Sequence, residues 1–262
     1  MQIVARFPGF LALFCSMSTV LAATVAAAPT PPGIFDKDDR EVIGEREQKR
    51  WNAVGRLNRS IGGFCTAVLI GPDEVLTAAH CLWDEERARW LEPDMIHFVP
   101  GYRRGQYLGH ARGRSFRMSD SIEIGEYGRP KEPVDDWAVV RLDLDLQAGA
   151  GIRPLELAGP LARAALQVDT RLTRVGYGRD RPHLPVLVNR CRALGSMEHG
   201  RLLLHDCDAT LGDSGSPVMA ERDGRFVVMG VHSSIVRYGE NIAGVAVFVE
   251  RQLPPEALGR AD

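Results

Sequence analysis

The sequence predicts an all-β chain. Short apolar or alternating runs separated by Gly, Pro, Asp and Asn turns recur from Trp51 onward, which is the pattern of a sandwich or barrel. Helical periodicity is missing at any useful length, apart from a short turn at 255–258, and strands do not alternate with helical patterns as a βαβ chain requires. At 262 residues the chain has room for one large or two small domains, and two six-stranded antiparallel barrels fit the strand count.

Taken in order, residues 1–28 read as a secretory leader, with Arg6 as the positive end, an apolar stretch over 10–25 and Ala26-Ala27-Ala28 before Pro29. Ser16, Ser18, Thr19 and Thr24 dilute that stretch too much for a membrane span, and bulky Phe14 before Cys15 argues against a lipoprotein site. Residues 29–41, rich in Pro, Gly and Asp, read as a pro-segment or flexible arm. The domain proper is expected over 42–262, with a first barrel over about 42–148 and a second over about 149–250.

Predicted strands of the first barrel are 53–57, 65–70, 75–77, 95–99, 111–116 and 137–142, with a turn at Gly71-Pro72-Asp73. Gly and Arg mark 101–113 as surface loop, and 143–157 forms the crossover between barrels. The second half supplies strands at 170–177, 190–194, 201–205, 218–220, 226–232 and 244–249.

A net charge of −2 with no long single-sign run gives no electrostatic support to nucleic-acid or membrane-surface binding. Cys15 departs with the leader, and the even set Cys65, Cys81, Cys191 and Cys207 suits an oxidising compartment, secreted or periplasmic. Four cysteines allow three pairings. A metal site using His199 and His205 is the competing use, but the spacing matches no zinc pattern, so no metal or cofactor is expected.

Chemistry concentrates in three places. Gly212-Asp213-Ser214-Gly215-Ser216-Pro217 presents a serine between glycines, which permits a tight turn and close backbone approach by a carbonyl. The N–H groups of Gly212 and Ser214 form the natural oxyanion-hole pair. By itself the run is also a plain Gly/Ser/Pro turn between strands. Upstream, the apolar run Val75-Leu76-Thr77-Ala78-Ala79 leads to His80 and Cys81, and Asp135-Asp136 opens the buried run 137–142. An imidazole titrates near neutrality and can move the serine proton, while a carboxylate fixes its tautomer.

With TAAHC at 77–81, DWAVVRL at 136–142 and GDSGSP at 212–217, the chain resembles the trypsin/chymotrypsin-like serine peptidases over roughly 42–250. Their order is His, Asp, Ser, unlike α/β-hydrolases or subtilisins; Ser216 also breaks the Gly-x-Ser-x-Gly elbow. Ser216 after Gly215 looks more like the bacterial branch that includes glutamyl endopeptidases than like animal digestive enzymes. The resemblance implies His80 as base, Asp136 as orienter and Ser214 as nucleophile in a cleft between the barrels, with Asp135 solvated. It further implies Cys65–Cys81 and hence Cys191–Cys207 as disulfides. Val42-Ile43-Gly44-Glu45 resembles the family's mature start, whose freed α-amine pairs with the acid before the serine, here Asp213. Asp213 reads equally well as a satisfied loop acid.

Specificity stays open. Asp208, six before Ser214, stands where trypsin-type enzymes bind Lys or Arg. Cys207 lies seven before the serine with no cysteine after it, so the bridge bracing the animal enzymes' pocket is absent. His232 matches the histidine by which glutamyl endopeptidases recognise Glu, although their threonine is replaced by Ala209 with Thr210 next. His232 reads equally as a pocket wall, and Asp208 and His232 as neutralising each other. Ser233, Ser234 and Ile235 should pair with an extended substrate, Ile235 narrowing the entrance where relatives have Gly. The expected protein is a monomeric secreted serine endopeptidase acting on proteins or peptides, without nucleic acid or a stable membrane anchor. The alternative is a catalytically silent binding module on the same fold.

Overall fold

Alternating apolar side chains along each run can be buried only if the strands pair and curl around them, and that is what the computed structural model shows. It describes residues 33–159, 162, 164–238 and 241–248. The expected leader, the start of the arm and the turn at 255–258 lie outside them. The elements, in chain order, are β1 (Glu41–Val42), α1 (Glu45–Gln48), β2 (Val54–Arg59), β3 (Phe64–Leu69), β4 (Glu74–Thr77), β5 (Trp83–Asp84), β6 (Arg89–Trp90), β7 (Ile96–Pro100), β8 (Ala111–Met118), β9 (Ala138–Leu142), α2 (Leu146–Ala150), β10 (Glu156–Leu157), β11 (Arg171–Gly176), β12 (Val186–Met197), β13 (Leu202–His205), β14 (Pro217–Arg222), β15 (Arg225–Tyr238) and β16 (Asn241–Phe248).

The first barrel closes in the order β2-β3-β4-β9-β8-β7. Leu57, Ala67, Leu69, Leu76, Ile96, Phe98 and Val140 are fully buried. The second barrel closes because β12 is long enough to pair with β11 along one stretch and β13 along another, the ring running β11, β14, β15, β16, β13 and β12. β1 adds to β12, and β10 runs parallel to Val227–Val228 of β15. One apolar cluster continues from the first barrel to Val175, Tyr177, Val231 and Val247 of the second, so the barrels share a core. Every predicted strand is a barrel strand. The crossover holds a single helical turn, α2, capped by the Asp145 carboxylate, which accepts from Ala148 N at 2.8 Å.

Pairing geometry fixes the site. β4 and β9 run antiparallel with Thr77 opposite Ala138, so the chain just beyond β4 meets the chain just before β9. Those flanking turns are Ala79–Leu82, which carries His80, and Pro133–Asp135, which leads into Asp136. Ser214 comes from the loop between β13 and β14 of the other barrel.

Candidate active site

The Ser214 loop is pinned to the first barrel through β3. Thr66 N donates to the Ser214 carbonyl at 2.9 Å, Thr66 Oγ1 donates to the Gly212 carbonyl at 3.1 Å, and Tyr177 N donates to Thr66 Oγ1 at 2.9 Å. Gly215 has φ +83°, and a Cβ there would collide with the Thr66 carbonyl and the Thr77 hydroxyl, so this crossing requires glycine. The Cys65–Cys81 disulfide lies beside the crossing, with Cys81 Sγ 3.9 Å from both His80 Nε2 and the Ser214 carbonyl.

Asp136 grips His80 twice: Oδ1 accepts the backbone N–H at 2.9 Å, and Oδ2 lies 2.8 Å from ring Nδ1. Ser233 Oγ donates to the same Oδ2 at 2.5 Å. Burial alone would raise the Asp136 carboxyl, but the His80 charge and the bonds from His80 and Ser233 outweigh it and hold it at about 2. An ionised acceptor on Nδ1 keeps a proton on that nitrogen, so Nε2 is the ring position turned to proton exchange. His80 and Ser214 line one stretch of the cleft. Asp135, expected in solvent, is instead buried in the turn, accepting weakly from Ser121 Oγ at 3.5 Å.

The direction of the Gly212 N–H, expected to face an oxyanion, is set by one peptide orientation. Arg179 N donates to the Leu211 carbonyl at 2.6 Å. A trans peptide points its N–H opposite its carbonyl, so the Gly212 N–H faces away from Arg179. Gly212 has φ +97°, a conformation suited to glycine. Behind it, Asp213 meets Arg174, both side chains essentially inaccessible, with Nη1 2.5 Å from Oδ1. Arg174 also donates Nε and Nη2 to the Asp208 carbonyl and Nη1 to Ser216 Oγ. The α-amine suggested by the resemblance is therefore not what pairs Asp213 in the uncut chain: an internal guanidinium already fills that place. Val42 is 42 % exposed on β1. Arg174 was not singled out from sequence, although a lone charge among the buried residues of β11 was the available signal.

The specificity candidates separate. A cleft of about 600 Å³ is lined by Thr210, Ser214, His232, Ser233, Ser234 and Ile235, with Arg129 and Arg179 at its sides. Asp208 and Ala209 are not among the lining residues. The Asp208 carboxylate turns the other way and accepts from Phe35 N at 2.7 Å and Asp39 N at 3.2 Å. Burial raises it to about 6 despite those bonds. Its carboxylate is thus held by the 35–39 backbone, away from the cleft lining, and His232 has a different partner. The partner of His232 is His205: Nδ1 of the first lies 3.2 Å from Nε2 of the second, and Cys207 N donates to His205 Nδ1 at 3.1 Å. His205 must then carry its proton on Nε2 and donate it to His232 Nδ1, leaving Nε2–H as the donor of His232. Burial keeps both neutral, lowering His205 to about 3, with Arg174 adding to the effect. Burial likewise lowers His232 well below the ordinary histidine value.

Arg129 was another residue missed from sequence. Its Nη1 donates to the Ser233 carbonyl at 2.9 Å and lies 3.9 Å from Asp136 Oδ2. Among the described residues the only grouping of metal-ligating types is Cys65, Cys81 and His80, and both sulfurs are spent in the disulfide. Cys191 and Cys207 are likewise bonded.

With this geometry in view, the trypsin family model matches residues 42–253. The chain belongs to the trypsin family. It is a serine-type endopeptidase, a hydrolase of protein or peptide substrates. Curated relatives include trypsin epsilon of Drosophila erecta, 29% identical over 88% of this chain and 93% of that protein, and human granzyme M, 29% identical over 53% and 49%. A Glu endopeptidase solved in complex with MPD superposes with TM-score 0.65 at 19% identity, covering 83% of this chain and 94% of that one. The secreted serine protease VesC from Vibrio cholerae gives 0.61 at 19% identity, covering 81% and 46%. At such identities these two likenesses speak for the fold. Among the described residues no helix is long and apolar enough to cross a membrane.

Proposed function

We propose that this trypsin-family chain is a secreted, monomeric endopeptidase working through Ser214, His80 and Asp136 and a covalent acyl-enzyme. The observation that carries the reading is the Asp136 grip on His80 Nδ1, which leaves Nε2 as a base in the stretch of cleft that Ser214 shares. Ser214 Oγ attacks the scissile carbonyl carbon while His80 Nε2 takes its proton. The carbonyl oxygen becomes an oxyanion held by the N–H groups of Gly212 and Ser214. Collapse breaks the C–N bond, the leaving amine takes the proton from His80, and water repeats the sequence on the ester.

The first 28 residues are read as a leader removed on export, which accords with two disulfides in the folded chain. For the residue before the scissile bond, the geometry favours His232 over Asp208. A neutral imidazole N–H in the lining favours a side chain that accepts a hydrogen bond, carboxylate or amide, over Lys or Arg. The Glu endopeptidase neighbour accords with this preference. Labelling with a serine-directed phosphonate tests the core reading. Labelling that vanishes in Ser214→Ala is expected; an unlabelled, folded wild type would make the chain a silent binding module.

A further inference from the structure

Residues 33–40 lie against the outer wall of the specificity cleft and touch three successive loop residues. The Gly33 carbonyl accepts from Ala209 N at 2.8 Å. Phe35 N and Asp39 N both donate to the Asp208 carboxylate, and Arg40 Nη1 donates to Thr210 Oγ1 at 3.3 Å. Gly33 has φ +90°, and a Cβ there would collide with the Ala209 carbonyl and with the Ile235 side chain, which lines the cleft. The segment thus touches both the 208–210 stretch and Ile235 beside a cleft that no disulfide spans, since Cys207 is bonded back to Cys191 and no cysteine follows it.

The far end is anchored just as firmly. The Arg40 side chain is 2 % exposed and forks onto Asp180, with Nη2 2.8 Å from Oδ2 and Nη1 3.1 Å from Oδ1, and onto Asp38 at 2.9 Å. Arg181 Nη1 donates to the Arg40 carbonyl at 3.0 Å. Next, Glu41 and Val42 pair with Leu187 and Val186, and Ile43 is buried with its N–H on the Pro185 carbonyl. Glu41 and Val42 are exposed, but their backbone is paired to β12 and they sit between buried Arg40 and Ile43, so a protease cutting within 40–43 must first peel β1 from the sheet.

We propose that residues 33–40 are not a removable pro-segment but a permanent strap that positions the 208–210 wall, doing for this pocket what a cross-link does elsewhere. Asp208 is then a positioning residue, acting on substrate only through the wall it holds. This rests on the peptidase reading above, deepening it from the chemistry to the shape of the pocket.

The test uses the full chain as secreted, with active enzyme counted by phosphonate titration. Intact mass of the labelled species should include residues 33–40; a labelled species beginning at Glu41 or Val42 overturns the proposal. Arg40→Met and, separately, Gly33→Val should raise KM for peptide substrates by about tenfold, the scale of one lost charge-assisted hydrogen bond, with kcat per titrated site within about twofold of wild type. An unchanged KM in both overturns it. Hydrogen exchange on Ser214→Ala reads the strap without catalysis: the Ala209 amide should be protected, and Arg40→Met in that background should abolish its protection. Unaltered protection counts against the strap whatever the labelling shows, and missing labelling with strap-dependent protection counts against the peptidase reading alone.

Discussion

Replacing Arg174 by Met keeps the length of the side chain and removes its charge. Among the described residues, Asp213 would then be a carboxylate at 1 % exposure left with Thr210 N at 2.8 Å, since the single Thr210 hydroxyl hydrogen, 3.3 Å away, is shared with Asp180 at 2.9 Å. Breaking one partner of a buried pair costs about 3–5 kcal/mol, because the survivor is left charged and dry. The Asp208 carbonyl loses both Arg174 donors as well, adding about 1 kcal/mol. For a domain of this size about 4–6 kcal/mol corresponds to roughly 10–20 °C in Tm. The damage falls next to Ser214: Ser216 N donates to the Asp213 carbonyl at 2.9 Å and Asp213 N to the Thr210 carbonyl at 3.0 Å, so a carboxylate seeking solvent drags the Gly212 and Ser214 amides with it. Misplacing one oxyanion donor costs about 10²- to 10³-fold in kcat. Urea unfolding and ester hydrolysis per titrated site measure the two effects. The double variant Arg174→Met with Asp213→Leu removes both charges and should recover most of the stability. A single variant within about 1 kcal/mol of wild type and undiminished in kcat would refute the reasoning, since Asp213 would then have another cation, such as a freed α-amine.

Other expectations follow from the same contacts. Asp136→Asn should lower kcat by about 10⁴-fold through the wrong His80 tautomer, while Asp135→Asn stays near wild type; steady-state kinetics on both variants decide it. The Asp208 carboxyl is raised in the fold to about 6 from 3.8, so between those values the folded state holds more protons than the unfolded one. Its contribution to stability is therefore greatest below that window and falls as pH rises through it, and Asp208→Asn should remove this slope in urea titrations at successive pH values. His205 behaves oppositely: lowered to about 3 from 6.5, it contributes most above 6.5 and loses that contribution as pH falls towards 3. His205→Gln should flatten the acid limb of the stability curve. A panel of peptides varied before the scissile bond should favour Glu or Gln over Lys and Arg, and a strong Lys or Arg preference would return Asp208 to the pocket.

All twelve barrel strands were legible in the linear chain, because alternation and turn chemistry are properties of neighbours along the backbone. The runs that carry His80, Asp136 and Ser214 stand out in the linear chain too, and the fold brings His80 within hydrogen-bonding distance of Asp136. What the tertiary structure decided are pairings between distant positions. Asp213 pairs with Arg174, 39 residues earlier; the Asp208 carboxylate accepts from Phe35 N, 173 residues away; His232 Nδ1 accepts from His205 Nε2, 27 residues before it. A buried polar group must find some partner, but which one depends on where two closed barrels bring their loops, and no local period records that.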